Sequence, residues 1–189
     1  MPLTKTQVDM LEATGTPSSG NFLRGDGSWN SPMTLMTAQN STSGTSIDFT
    51  GIPAGVERIT VMLNNVSTNG SSIVQIQIGS GSVSNSGYKS TASYGVSATQ
   101  FASATSGFII NSSYTTASLT NSGLYVFTLI NSNTWIGSGT IGGDTVGQIT
   151  WACAGSSPAL SGALDRVRIT TVNGTDTFDA GSINVLYER

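Results

Sequence analysis

Val74-Gln75-Ile76-Gln77-Ile78 puts an apolar side chain at every second position, the period of a strand that turns one face to a core. The same period recurs outward from it. Ile59-Thr60-Val61-Met62-Leu63, Ile149-Thr150-Trp151-Ala152-Cys153, Val167-Arg168-Ile169 and Ile183-Asn184-Val185-Leu186-Tyr187 all read as half-buried strands. Further strands are predicted near 34–39, 46–49, 88–94, 108–111, 124–130 and 134–141. Turn signals separate them, at Ile52-Pro53-Ala54-Gly55, Thr68-Asn69-Gly70-Ser71 and Asn173-Gly174-Thr175-Asp176. No long helical pattern interrupts the series. The predicted fold is all-β, an antiparallel β-sandwich with jelly-roll-like connections over residues 33–189. Leu124-Tyr125-Val126-Phe127-Thr128-Leu129-Ile130 breaks the alternation by being apolar at both parities. Such a strand is buried twice, with its outer face covered either by a loop or by another subunit. Residues 80–122 carry the weakest pattern and are expected to hold long loops.

The chain has 189 residues, enough for one respectable core or a smaller core with an appendage, since domains of this kind run to ~100–150 residues. Charged residues make up 9%, against ~25% in an average soluble domain. The 37% hydrophobic content is concentrated in the alternating runs, so the chain folds, and a lean, hydroxyl-rich sheet of this kind gains from association with its own copies. Net charge is −3, and the seven Lys and Arg are scattered, which argues against nucleic-acid binding. Met1-Pro2-Leu3-Thr4-Lys5 lacks a secretory apolar run and no segment approaches the ~18 apolar residues of a membrane span, so a soluble chain starting in the cytoplasm is expected. Cys153 is the only cysteine and reads as a small core residue.

Residues 1–32 read differently. Thr4 with Gln7 forms a capping box, Leu3 with Val8 a hydrophobic staple, and Leu11 continues the stripe until Gly15 and Pro17 end it. A helix of about ten residues is unstable alone in water, so it must pack on a sister helix or a socket in another protein. There follows Phe22-Leu23-Arg24-Gly25-Asp26-Gly27-Ser28-Trp29, where Gly20, Gly25 and Gly27 permit positive φ and Asp26-Gly27 is a turn dipeptide. Phe22, Leu23 and Trp29 can then dock as anchors while the backbone bends between them.

That octapeptide closely resembles an element near the start of many tailed-bacteriophage tail-fibre and receptor-binding proteins. There it lies between a virion-attachment helix and a distal head domain. The body resembles a C-terminal β-sandwich domain of the same class of proteins at 52–61, at Asn133-Thr134-Trp135 and above all at 164–184. The resemblance implies a homotrimeric virion protein, assembled in the host cytoplasm, whose arm (Val8, Leu11, Phe22, Leu23, Trp29) attaches it to other virion proteins. It further implies that the head binds a host-surface glycan or protein. A capsid decoration protein or head fibre uses the same modules and is the alternative. The middle of the chain matches nothing nameable, and in such proteins host specificity varies there. Tyr88, Tyr94 and Tyr114 are the candidate receptor-stacking residues, while Trp135 is expected in the core.

The chain contains no histidine, which removes Ser-His-Asp triads, Cys-His dyads and ordinary zinc sites. No cofactor or metal site is predicted. A paired-carboxylate polysaccharide hydrolase is the third reading, with Asp144, Asp165, Asp176 and Asp179 as candidates. Turn contexts at Asp144 and Asp176, and Arg58, Arg166 and Arg168 as ion-pair partners for Asp165 and Asp179, favour structural roles. No enzymatic activity is expected.

Overall fold

In the computed structural model, residues 15–18, 20–25, 27–94, 100–112, 115–117, 119–144 and 149–189 are described, and strands are the only regular structure among them. The predicted helix from Thr4, with Val8 and Leu11, lies outside the described residues. The strands in chain order are β1 (Phe22–Leu23), β2 (Trp29–Asn30), β3 (Met33–Leu35), β4 (Gln39–Asn40), β5 (Ser46–Thr50) and β6 (Arg58–Thr68). There follow β7 (Val74–Ser80), β8 (Ser82–Val83), β9 (Lys89–Tyr94), β10 (Gln100–Ala104) and β11 (Phe108–Ile109). The last are β12 (Thr120–Asn131), β13 (Thr134–Asp144), β14 (Ile149–Ser156), β15 (Arg166–Thr171) and β16 (Phe178–Glu188).

Every pairing among the described residues is antiparallel. A nine-stranded sheet runs β10-β9-β14-β13-β12-β6-β16-β3, with β4 also on β16. A five-stranded sheet runs β11-β7-β15-β5, with β8 also on β7. The chain crosses repeatedly between the two. Their buried side chains form one hydrophobic cluster, to which the large sheet gives Ile59, Val61, Tyr125, Phe127, Trp151 and Val185, and the small sheet Phe49, Ile76, Ile78, Val167 and Ile169. Phe108 joins the two, its ring 4.8 Å from Phe127 and 5.7 Å from Tyr125. Each such side chain contributes about 1.5–3 kcal/mol on burial, so a chain poor in ion pairs still has a sufficient driving force.

Glycines make this core possible. Along β13 the inward positions read Trp135, Gly137, Gly139, Ile141, Gly143, and the glycines leave room for rings from the flanking strands. A Cβ on Gly137 would sit 2.6 Å from Tyr125 Cε1 and 2.7 Å from Phe127 Cδ1, and one on Gly143 would sit 2.2 Å from Trp151 Cζ3. Glycine normally weakens a strand interior, but here it admits the aromatic neighbours that fill the core.

Two expectations change. The alternation of Val74–Ile78 predicts a half-buried strand, yet β7 is buried on both faces, because residues 105–107 cross over its outer side and Ser106 bonds both Gln75 and Gln77. Residues 80–122 are not a run of long loops. Besides β9 and β11, which fall at the predicted 88–94 and 108–111, they hold β8 and β10, which were not predicted, and β10 pairs with β9 in register from Ser90↔Ala104 to Tyr94↔Gln100. Ser, Thr and Ala mark these strands only weakly, since their outward faces carry no apolar alternation.

Candidate functional site

The N-terminal octapeptide forms a small hairpin. Leu23 pairs with Trp29, Arg24 N donates to Ser28 O at 2.8 Å, and Gly27 N donates to Arg24 O at 3.0 Å. Of Gly20, Gly25 and Gly27, only Gly27 uses its freedom, at φ 81°. Phe22 is 64% exposed and Leu23 is also exposed, while Trp29 is half-buried with its backbone against Gly15. The hairpin therefore presents two apolar side chains outward and tethers itself through the chain, where Arg189 N donates to Pro32 O at 3.0 Å.

The tyrosines do not meet the expectation of exposure. Tyr88 is 1% and Tyr94 is 8% exposed, and Tyr114 lies outside the described residues. Tyr88 Oη sits 3.0 Å from Ile78 N, whose proton it accepts, and lies 3.1 Å from Ile78 O and 3.0 Å from Ser84 O. Its ring stands edge-on to Phe108 at 5.1 Å, and burial outweighs these hydrogen bonds in pushing its pKa up to about 12. Tyr94 packs edge-on to Trp151 at 6.1 Å. Tyr88 and Tyr94 therefore work as core residues that finish the edge of the large sheet. Trp135 is buried as expected, and Cys153 is a buried thiol pushed by desolvation up to about 12.

The four carboxylates occupy separate structural settings. Asp165 receives Arg166 Nε at 2.7 Å and Gly81 N at 3.0 Å, and the Arg166 hydrogen bond holds its pKa below the usual carboxylate range. Asp176 accepts Ser72 N at 2.9 Å and Asn173 Nδ2 at 2.6 Å, closing two loops together. Asp179 accepts Ser67 Oγ and no arginine, which corrects the predicted ion pair. Asp144 is exposed at the end of β13. Arg168 pairs with Asp48, and Arg58 with Glu188. Among the described residues no group of three or more His, Cys, Asp or Glu side chains could hold a metal ion, and no helix is long and apolar enough to cross a membrane.

Two outer surfaces remain, one per sheet. On the large sheet the register lines up Phe101, Ser93, Ala152, Thr140, Leu124, Met62 and Asn184 across seven strands. The next row is Ser103, Thr91, Ala154, Ser138, Val126, Thr60, Leu186 and Leu35. Neither row holds a charge. Lys89, Arg58 and Glu188 fall in the third row, at one margin, beside Ile136 and Met33. Phe101 is 75%, Leu35 59% and Leu124 52% exposed, and an open groove of about 570 Å³ runs past Leu124, Val126, Thr140 and Ala152. Of the two alternatives for Leu124–Ile130, a covering loop does not occur among the described residues: Tyr125 and Phe127 face the core, and Leu124 and Ile130 face outward uncovered.

The outer surface of the small sheet is polar and largely closed. Asp48, Arg168 and Gln77 stand in one row, Ser46, Thr170 and Gln75 in the next. Arg168 gives Nε and Nη2 to Asp48 at 2.7 and 3.0 Å, and Thr170 Oγ1 donates to Thr45 O at 2.8 Å. Sequence reading missed both surfaces as surfaces, because each is assembled by register between strands far apart in the chain; only the double-apolar run at 124–130 signalled the first.

Comparison with family models, with curated proteins and with solved structures finds no match to this chain.

Proposed function

We propose that this chain is a non-enzymatic structural and adhesion protein of a tailed-phage particle, a homotrimeric fibre head that binds the host cell surface. In this reading residues 33–189 form a β-sandwich with jelly-roll-like connections, and residues 1–32 are the arm that fixes it to other virion proteins. The observation that carries the reading is the uncovered outer face of the nine-stranded sheet, whose two central rows carry no charge. Its seven strands span about 30 Å and the Leu124–Ile130 segment about 20 Å, an area on the order of 600 Å². A standard interface takes ~800 Å² from each partner, so the face is of the right order for subunit contact. Three such faces turned to a common axis bury Leu124, Val126 and Leu35 and keep Arg58, Lys89 and Glu188 at the margin, where they remain hydrated. The exposed Phe22 and Leu23 of the hairpin supply the arm with an apolar docking edge, as the resemblance of the octapeptide implies.

Light scattering over a range of protein concentrations tests the assembly, and electron microscopy of labelled particles tests the location. The expected outcome is a trimer at all accessible concentrations, placed at the tail. A monomer throughout sinks the assembly, and label confined to the capsid shell replaces the tail fibre with the decoration protein.

A further inference from the structure

The outer face of the small sheet holds a groove of about 390 Å³ whose floor is formed by Gln77 and Arg168 and whose walls include Val83, Asn85 and Val172. We propose that this groove binds a neutral saccharide. The inference deepens the host-surface binding proposed above and rests on that reading for the ligand's source, but not for its chemistry.

The chemistry follows from which polar atoms are already used. Gln77 Nε2 donates to Ser106 O at 2.9 Å, while its Oε1 accepts nothing among the described residues and is left as an acceptor in the groove. Arg168 spends Nε and Nη2 on Asp48, which leaves Nη1 as a donor. Asn85, exposed at the rim, offers both a donor and an acceptor. A hydroxyl both donates and accepts, so a polyol satisfies this mixture where a ligand with acceptors alone does not. Charge makes the same distinction. Among the described residues Arg168 is the one ionised side chain lining the groove, and the bidentate Asp48 carboxylate already neutralises it, which removes the attraction a phosphate or carboxylate ligand requires. Val83 and Val172 add apolar surface for the C–H faces of a sugar ring.

The site is also preformed. Gln75 and Gln77 are outward-facing amides already held in place, with Gln77 Nε2 donating to Ser106 O, Ser106 Oγ donating to Gln75 Oε1 at 2.8 Å and Gln75 Nε2 donating to Thr171 O at 3.3 Å. Little ordering is left to be done on binding. The volume lies within the ~300–1,000 Å³ of small-molecule sites.

The test titrates the full chain with maltotriose and triacetylchitotriose as neutral probes, and with glucuronic acid and inorganic phosphate as anionic ones. Calorimetry gives the affinity, and backbone amide shifts locate the contact. The expected result is saturable binding of a neutral probe, with shifts at Gln77, Asn85 and Val172. Two folded variants check it. Val172→Trp fills the groove from an exposed position and abolishes binding, and Arg168→Lys keeps the charge but loses the guanidinium edge, weakening binding by about tenfold. Saturable binding of neither neutral probe, tighter binding of an anionic probe, or full affinity in Val172→Trp overturns the proposal. The oligomeric state is read on the same samples: a trimer that binds no sugar defeats the groove alone, and a monomer that binds sugar defeats the assembly alone.

Discussion

The two outer faces of this protein are built from a similar stock of serine, threonine and small or medium side chains, yet one is finished by the chain itself and the other is left open. On the small sheet, Ser106 ties down both Gln75 and Gln77, and Arg168 is locked to Asp48, leaving the groove beside Gln77 open. On the large sheet, Leu124, Phe101 and Leu35 stand uncovered in rows that carry no charge. The difference teaches which kind of surface needs local partners. Buried amides and guanidinium groups must be satisfied where they lie, at a cost of about 1–3 kcal/mol for each group left unpaired. Apolar and hydroxyl side chains tolerate water and can wait for a second copy.

The sharpest way to break the comparison is to place a charge on each face. Leu124→Glu puts a carboxylate in the middle of the uncharged rows, and in a trimer three such groups meet near the axis. Uncompensated buried charge costs about 3–5 kcal/mol, so the proposed trimer is expected to dissociate while the monomer keeps its circular dichroism spectrum. Thr50→Glu, on the outer face of the small sheet opposite Arg166, is expected to leave the proposed trimer unchanged. Sedimentation velocity reads both. Equal behaviour of the two variants removes the distinction between the faces.

A smaller effect tests the inner side that both faces share. Gly137→Ala forces a methyl group against the rings of Tyr125 and Phe127, which cannot shift without disturbing Phe108 and hence the contact between the sheets. Overpacking of this kind costs about 1–3 kcal/mol, read as a lower urea midpoint with an unchanged slope. The loss belongs to the subunit: light scattering on the folded variant is expected to show the same oligomeric state as the wild type. A dissociated but fully stable variant shows instead that the outer face of β13 depends on its inner one.

Much of this frame is legible in the sequence. Ile59–Leu63, Ile149–Cys153 and Ile183–Tyr187 announce β6, β14 and β16, because one buried face per strand writes its period into the residues. The turn at Asn173-Gly174 is equally plain, with Gly174 at φ 69°. Three features escape. β10 is too poor in apolar residues to alternate visibly. The bulge at Asn65, with φ 52° and its amide donating to Ser122 Oγ at 2.9 Å, is fixed by long-range partners on β12 and β16. The polar neighbours of Tyr88 and Tyr94 make both look like surface aromatics. Their burial follows from Phe108 and Trp151, which only the fold brings beside them. The candidate surfaces were less legible still, since register decides that Phe101 and Leu124 share a row and that Arg168 stands beside Gln77.

The smallest effect separates the faces by pH. Asp48, Asp165, Arg166 and Arg168 cluster on or beside the small sheet, whereas the central rows of the large one hold nothing that titrates. The Arg166 hydrogen bond depresses the pKa of Asp165 in the folded state, below the ~3.9 of an unfolded aspartate. Stability from this group is therefore fully present above the unfolded value and is lost as pH falls through the lower, folded one. The carboxylate is largely hydrated, so the amount stays below about 1 kcal/mol. Asp165→Asn should lower the urea midpoint at neutral pH and converge with the wild type in acid. In parallel, hydrogen exchange at Gly81, whose amide donates to Asp165, should quicken on acidification beyond the intrinsic trend, while amides of β12 hold theirs. If β12 loosens together with Gly81, acid acts on the common core, and the charge asymmetry between the two sheets has no energetic weight.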